Sequence, residues 1–231
     1  ASFLGAESPI YISSLSELAE SIHDYGAKVA IQLTAGRGRI TPIEYLRTFG
    51  AVAPSPVPCF SDPQIIAREL SIEEIERLVD AFRVAAEIIS VAGIDAIELH
   101  AHDGYLLDQF LTPLWNKRKD RYGGDLNGRL QFALEIIDSI KKVTGKDFPL
   151  IYRFGLTHYF DGGRGIEEGL EIVRRLEPAG IDAFHIDAGC YETRYWAIIP
   201  TTQPPGCLVD LAEKVKKVVN VPVISVGKLG Y

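Results

Sequence analysis

The sequence lacks several features that would each indicate a particular class of protein. Its 231 residues include no methionine and three cysteines, an odd number that does not suggest a disulfide scaffold. No two cysteines have the spacing of a metal site, so a reducing, cytoplasmic setting is expected. No apolar run approaches about 18 residues, which argues against a membrane-spanning helix. The amino end also lacks the charged region and apolar core of a signal peptide.

Positive charge is scarce as well. The 24 Lys and Arg against 31 Asp and Glu give a net charge of -7. Nucleic-acid binding needs a basic surface, so no nucleic-acid partner is expected. The missing initial methionine, and an end that directly follows a strand-like run, predict a fragment truncated at both ends. Residues 1–231 are therefore expected to form one incomplete domain.

Short apolar segments alternate with helical patterns along the chain. The predicted strands are 28–33, 94–99, 148–154, 181–186 and 221–226; the predicted helices are 14–25, 71–92, 126–143, 166–177 and 208–219. Ser14 or Ser16, Ser71 with Glu74, and Asp125 are the expected helix caps. Strand–helix repeats predict a parallel sheet, and the strands are interpreted as largely apolar on both faces.

Two stretches interrupt this alternation. Residues 40–70 contain five prolines and no helical period, which predicts a long loop without regular structure. Residues 191–206 form a second, aromatic-rich loop. Long loops of this kind in compact domains are often functional.

Two architectures fit a parallel sheet of this kind: an open doubly wound sheet, or part of a (β/α)8 TIM barrel. No Gly-x-Gly-x-x-Gly motif follows any predicted strand, and polar residues follow every strand rather than one switch point. This favours the barrel, in which all strand-end loops converge on one mouth. Five strand–helix units of eight would make a partial barrel, corresponding to strands 3–7.

The ends of the predicted strands hold the residues that could take part in chemistry. They offer an amide, a guanidinium, imidazoles, carboxylates, phenols and a glycine followed by a lysine. The residues are Gln32, His100, His102, Asp103, Tyr105, Arg153, Asp187, Tyr191, Gly227 and Lys228. No phosphate-binding loop, HExxH metal motif or Gly-x-Ser-x-Gly nucleophile turn is found, and no metal site is expected.

Several motifs, taken in order, resemble the old yellow enzyme family. They are IQLTAGR at 31–37, GIDAIELHAHDGYL at 93–106, QFLTP at 109–113, NKRKDRYGG at 116–124 and NGR at 127–129. The family comprises FMN-dependent ene-reductases and NADH:flavin oxidoreductases on a (β/α)8 barrel. The loop at 189–206 is similar to that of the 2-enoate and 2,4-dienoyl-CoA reductase branch and of the related bile-acid-inducible flavin oxidoreductases.

The resemblance implies an FMN site. Gln32 would hydrogen-bond the pyrimidine edge of the flavin, and Arg153 would stabilise negative charge near N1 and O2. His100 would contact the flavin or hold the carbonyl oxygen of the substrate. Gly227 and the amides after it would cradle the phosphate, with Lys228 as a charge partner.

The resemblance also implies catalytic roles. Tyr105 would donate a proton to the substrate α-carbon, which suits a phenol that is protonated at neutral pH. Asp103 departs from simpler members of the family, because an ionised carboxylate cannot donate a hydrogen bond to the substrate oxygen. It could instead orient Tyr105 or His102. Tyr191 lies roughly where this branch has an active-site histidine.

The expected activity is NAD(P)H-dependent reduction of the C=C bond of an α,β-unsaturated acyl compound: a 2-enoate, an enoyl- or dienoyl-CoA, or an enone. A flavin-dependent amine dehydrogenase on the same barrel is the alternative. A non-flavin lyase would be expected to show a Schiff-base lysine or a metal cluster, and an open barrel fragment could be inactive alone. A 4Fe-4S cluster and FAD are expected only downstream of this chain, and homo-oligomerisation stays open.

Overall fold

The structure, a computed structural model, describes residues 8–230, and a sheet of five parallel strands lies at its centre. The strands are β1 (Ala30–Leu33), β2 (Val52–Ala53), β3 (Val57–Pro58), β4 (Ile66–Glu69), β5 (Ala96–Ala101), β6 (Leu150–Gly155), β7 (Ala183–Asp187) and β8 (Val223–Ser225). The central sheet has the order β1-β5-β6-β7-β8, with every neighbouring pair parallel. The five predicted strands are confirmed.

Helices connect the strands of the central sheet. They are α1 (Ile12–His23), α2 (Ile43–Phe49), α3 (Ile72–Val91), α4 (Leu106–Leu111), α5 (Leu126–Thr144), α6 (Ile166–Gly180), α7 (Arg194–Ala197) and α8 (Val209–Lys216). Single 3-10 turns occupy Pro9–Tyr11, Gly38–Ile40 and Tyr191–Thr193. Within residues 8–230, no helix combines the length and apolar character needed to cross a bilayer.

Alternate residues of the central strands face opposite sides of the sheet. One side packs against the helices, and its residues Ile97, Leu99, Tyr152, Phe154, Phe184 and Ile186 are fully buried. The other side presents Gln32, Glu98, His100, Arg153 and His185, none of them fully buried. The prediction of strands apolar on both faces is therefore wrong for this second face, which forms the inner surface of the barrel.

Two of the predicted helix caps are confirmed. Ser71 Oγ accepts a hydrogen bond from the backbone N–H of Glu74, and the Glu74 carboxylate accepts one from the backbone of Ser71. Asp125 Oδ1 accepts from Gly128 N at 3.0 Å. The cap predicted at Ser14 or Ser16 is wrong, since α1 begins earlier, after a 3-10 turn.

The loop predicted over residues 40–70 is in fact structured. It contains α2 and a small second sheet of order β2-β4-β3, with its own core of Leu46, Ala53, Val57, Cys59 and Ala67. Pro58 lies in β3, an edge strand, where a missing N–H costs no ladder hydrogen bond. Elements of two to seven residues are too short to show a hydrophobic period.

Helix α4 was not predicted either. Each of its six residues is buried, including Asp108 and Gln109. A helix buried on every side shows no apolar stripe, so it leaves no amphipathic signal in the sequence. Its position directly after β5 nevertheless decides where the Tyr105 side chain lies, because Tyr105 is its N-cap residue.

Candidate active site

The carboxyl end of β5 is a tight turn that folds the chain back over the strand. Asp103 and Gly104 have φ angles of +60° and +74°, a left-handed conformation that glycine, and less often aspartate, adopts. Helix α4 begins at once, with Tyr105 in its N-cap position. As a result the Tyr105 ring stacks on His100, with centroids 4.2 Å apart and planes at 29°.

His100 is an uncharged imidazole at neutral pH. Burial, followed by the charges of His102 and Arg153, lowers its pKa to about 3. The His100 and His102 ring centroids lie 4.3 Å apart. The His100 Nδ1 atom is buried and has no hydrogen-bond partner within the protein. A neutral ring offers one N–H donor and one acceptor nitrogen, so His100 can present a donor to a bound molecule.

The hydroxyl of Tyr105 is protonated at neutral pH. Burial and the nearby Tyr191 raise the pKa of Tyr105, and this outweighs the opposing hydrogen bond from Arg37. The Tyr191 ring is itself held by Phe60, edge-on at 5.3 Å, and by the Arg194 guanidinium 5.1 Å from the ring centroid. Two phenols therefore face one region at the end of β5.

Asp103 is a carboxyl group that titrates near neutrality. Burial is the main reason that its pKa rises to about 6, with Asp187 and Asp108 raising it further and His102 lowering it. Its Oδ1 atom is buried without a hydrogen-bond partner. Above about pH 6, Asp103 is therefore a carboxylate, which cannot donate a hydrogen bond, as expected from the sequence. Below that pH it is a carboxylic acid, which can donate one.

Arg153, at the inner face of β6, pairs with Asp187 at the end of β7. Arg153 Nη2 donates to Asp187 Oδ2 at 2.9 Å, and the Asp187 side chain is only 2% exposed. His102 Nδ1 lies 3.2 Å from the same oxygen. Burial alone would raise the pKa of Asp187, but His102, Arg153 and the backbone of Ala188 together lower it. Asp187 thus joins the turn after β5 to the charge on β6.

A cavity of about 350 Å³ opens beside Arg153. Its lining residues are Arg153, Asp187, Ala197, Ile199, Leu208, Val226, Gly227 and Lys228. Gly227 has a φ of +97°, and a Cβ there would lie 2.9 Å from the Leu208 side chain, so no larger residue fits. Lys228 Nζ donates to the carbonyl oxygens of Thr201 and Gln203 at 2.6 Å and 2.5 Å.

Gln32 lies on the edge strand β1 and contacts the neighbouring strand. Its Nε2 donates to Glu98 Oε1 at 2.6 Å, and the second carboxylate oxygen of Glu98 lies 2.7 Å from His185 Nδ1. Gln32 is exposed, whereas Glu98 and His185 are partly buried. Three strands of the inner face are thereby joined through one carboxylate.

An ion pair ties the small second sheet to the loop that bears Tyr191. Arg39 Nη1 donates to Glu192 Oε1 at 2.8 Å, and both side chains are largely buried. Arg39 Nε also donates to the carbonyl oxygen of Pro58 in β3, and its guanidinium lies 5.1 Å from the Trp115 ring centroid. Arg39 therefore links the segment 40–70 to the loop that bears Tyr191.

A second ion pair is buried completely beneath the turn. Asp108 and Arg164 are both 0% exposed, and Arg164 Nη2 donates to Asp108 Oδ1 at 2.7 Å. The carboxylate also accepts from Gly104 N at 2.9 Å and lies 3.2 Å from His158 Nε2. His158 Nδ1 accepts the backbone N–H of Arg164, so Nε2 bears the ring proton. Burial would raise the pKa of Asp108, but the Arg164 charge, followed by His158, holds it well below its usual range.

The structure brings most of the predicted site residues together. His100, Asp103, Tyr105 and Tyr191 meet at the end of β5, while Arg153, Gly227 and Lys228 line the cavity. Arg153 pairs in register with His100, which joins the two groups. Gln32 lies further off, on the edge strand. Among residues 8–230, no three His, Cys, Asp or Glu side chains converge as a metal site.

Sequence reasoning missed five polar residues around this site: Glu98, Asp108, His158, His185 and Arg164. Glu98 had a usable signal, since residues two apart on a strand share a face, and Glu98 therefore shares one with His100. Asp108 had a weaker signal, because it is a charged residue inside an apolar run. His158 and Arg164 lie in the turn after β6, and the sequence contains no signal for either.

Comparison with known proteins decides the family. The model of the NADH:flavin oxidoreductase / NADH oxidase family, whose cofactor is FMN, matches residues 8–230. The chain belongs to this family. Over 94% of its length it is 44% identical to an NADH oxidase from Thermoanaerobacter brockii, and over 95% it is 41% identical to a cinnamate reductase from Clostridium sporogenes. It spans about one third of the length of these relatives, 33% and 35%.

Solved structures of similar proteins show the same fold. A 2-naphthoyl-CoA reductase complex superposes with a TM-score of 0.85 at 31% identity, covering 94% of this chain and 35% of that one. Histamine dehydrogenase from Rhizobium sp. 4-9 superposes with a TM-score of 0.81 at 27% identity, covering 95% and 32%. The old yellow enzyme resemblance and the partial TIM barrel are both confirmed.

The residues at the cavity fit the family cofactor. A flavin mononucleotide offers phosphate oxygens and ring acceptors, and it needs donors and positive charge. Arg153 Nε is buried and lacks a hydrogen-bond partner, and Lys228 and the Gly227 turn lie at the same cavity. FMN and NAD(P)H serve the family as cofactor and reductant.

Asp108→Asn is expected to lower the free energy of unfolding by about 3 kcal/mol, because it leaves the Arg164 charge buried without its partner. The matched control is Asp138→Asn, which breaks an exposed pair with Lys142 and should cost at most about 0.5 kcal/mol. Urea denaturation measures both. Equal losses in the two variants would contradict the assignment of the buried pair.

Asp103→Asn is expected to change how stability depends on pH. The folded-state pKa of about 6 exceeds the ordinary 3.8, so between these pH values the folded protein holds a proton that the unfolded chain has released. Wild-type stability should therefore fall, relative to the variant, as pH rises from about 4 to about 6, and then level off. Thermal unfolding across this range measures the difference, with the exposed Asp147→Asn as control. A constant difference would contradict the raised pKa.

Proposed function

We propose that this chain is the FMN-binding part of an NAD(P)H-dependent ene-reductase. Its substrate would be an α,β-unsaturated acyl compound: a 2-enoate, an enoyl-CoA or an enone. The names of two relatives, a cinnamate reductase and a 2-naphthoyl-CoA reductase, support this class of substrate. We further propose that residues 1–231 belong to one FMN-binding domain. Its three cysteines, all unpaired, favour a reducing compartment such as the cytoplasm.

The cofactor would be held by residues of the inner face and the cavity. Arg153 and Gln32 would contact the flavin ring, and Gly227 with Lys228 would bind the phosphate. When bound, FMN would take hydride from NAD(P)H and pass it to the β-carbon of the substrate. Arg153 favours negative charge on the pyrimidine part of the ring, and its pairing with Asp187 moderates that effect.

The observation that supports the chemistry best is the stack of Tyr105 on His100. Tyr105 is protonated, and its hydroxyl accepts a hydrogen bond from Arg37, which leaves the O–H free to donate. It would deliver its proton to the substrate α-carbon. Its pKa, raised by burial, keeps that proton in place at working pH.

The carbonyl oxygen of the substrate would be bound at the same strand end. Neutral His100 has an N–H to offer, and Tyr191, which is close enough to raise the pKa of Tyr105, would offer a second hydroxyl. Asp103 donates only when protonated, below about pH 6. We propose that His100 and Tyr191 bind the carbonyl oxygen of the substrate and that Asp103 orients the turn.

An amine dehydrogenase is the alternative, supported by the likeness to histamine dehydrogenase. Substrate dependence separates the two functions. With oxygen excluded, an ene-reductase turns over NAD(P)H when an enoate or enone is supplied, whereas an amine dehydrogenase reduces an electron acceptor when a small amine is supplied.

The full-length protein is expected to purify yellow and to release FMN on denaturation. The reason is the donor set at the cavity, which matches a phosphate and a flavin ring. Absorbance spectroscopy, followed by chromatography of the released flavin, measures the result. A colourless protein that takes up no FMN on reconstitution would contradict the proposal.

Tyr105→Phe is expected to slow enoate reduction by about 10²- to 10⁴-fold, because it removes the proton donor and keeps the ring. Reduction of the bound flavin by NAD(P)H, followed in a stopped-flow instrument, should be unaffected. Tyr25→Phe, at a fully exposed position, is the control and should retain both rates. A Tyr105→Phe enzyme with wild-type turnover would exclude Tyr105 as the donor.

A further inference from the structure

The carboxylate of Glu98 is the centre of a hydrogen-bond chain on the inner face of the barrel. Gln32 Nε2 donates to its Oε1 at 2.6 Å, and His185 Nδ1 lies 2.7 Å from its Oε2. These residues come from β1, β5 and β7: Gln32 is in register with Glu98, two residues before His100, and His185 is in register with Arg153. Glu98 and His185 have no part in the chemistry proposed above.

Glu98 is ionised at neutral pH. Burial would raise its pKa, but hydrogen bonds from His185 and Gln32 outweigh burial and lower it. An ionised carboxylate only accepts hydrogen bonds. Gln32 must therefore turn its NH₂ group, and not its oxygen, toward Glu98.

His185 holds the other carboxylate oxygen. With Glu98 ionised, His185 Nδ1 is the donor, and the carboxylate has a fixed partner on each side. A carboxylate held at both oxygens keeps its orientation, so it fixes the amide of Gln32 as well. The Gln32 side chain is exposed, and without Glu98 nothing would select between the two amide orientations.

We propose that Glu98 is a positioning residue for the flavin, acting through Gln32. It turns the carbonyl oxygen of Gln32 away from itself, where that oxygen can accept a hydrogen bond, and leaves one amide hydrogen free to donate. The pyrimidine edge of a flavin presents an N–H (N3) between two carbonyl oxygens. An acceptor beside a donor matches two neighbouring groups on that edge. The proposal depends on FMN binding by this chain.

The test is a set of FMN titrations of the full-length apoprotein, followed by the quenching of FMN fluorescence. Glu98→Gln keeps the shape of the side chain but can donate, so it no longer selects one orientation of Gln32. We expect the FMN Kd to rise about tenfold. The exposed Glu44→Gln, in α2, is the matched control and should leave the Kd unchanged.

Action through Gln32 is tested by a double-mutant cycle. Gln32→Leu should weaken FMN binding, and adding Glu98→Gln to it should weaken binding no further. If the two effects were fully additive, Glu98 would act on the flavin by another route and the proposal would be overturned. Thermal unfolding of the apoproteins shows whether the variants fold.

A second test changes the flavin as well as the protein. 3-Methyl-FMN lacks the N3 hydrogen that the Gln32 oxygen would accept, so the wild-type protein should bind it about tenfold more weakly than FMN. Glu98→Gln should show little preference between the two flavins. Equal binding of both flavins by the wild type would overturn the inference and leave the proposed function standing. A wild-type protein that binds neither flavin would overturn both.

Discussion

One buried carboxylate holds the mouth of this barrel together. Asp108 is removed from water, which costs several kcal/mol for an ion. Hydrogen bonds from Arg164, His158 and the backbone of Gly104 offset that cost. Gly104 belongs to the turn after β5, and His158 and Arg164 belong to the turn after β6. Arg164 also donates to the carbonyl oxygen of Gly155 at the end of β6.

The loop after β7 joins the same cluster. Thr193 Oγ1 donates to the carbonyl oxygen of His158 and accepts the N–H of Cys190. The loops that follow three adjacent strands are thereby fastened to each other, and the positions of Tyr105 and Tyr191 depend on one another through this cluster. Charged groups nearer the cavity are also paired or neutral. Arg153 is paired with Asp187, and His100 stays neutral, so the inner face carries little unpaired charge.

The sequence predicted the sheet because each strand is bounded by glycine or polar residues and separated by an amphipathic helix. It predicted that the polar residues at the strand ends lie together, because the ends of parallel strands converge. It could not predict α4, whose residues are buried all round, or the small sheet at 40–70, whose elements are too short for a period. The pairing of Asp108 with His158 and Arg164 was out of reach because it joins residues 50 or more positions apart.

The link from Arg39 to Glu192 gives the segment 40–70 an influence beyond its own core. Through that link, and through the contact of Phe60 with Tyr191, it shapes the entrance without contributing to the central sheet. Under the proposed function, substitutions in this segment would alter which substrates enter while leaving the cavity beside Arg153 and Gly227 unchanged. Selectivity and flavin chemistry can accordingly evolve at separate places in one chain.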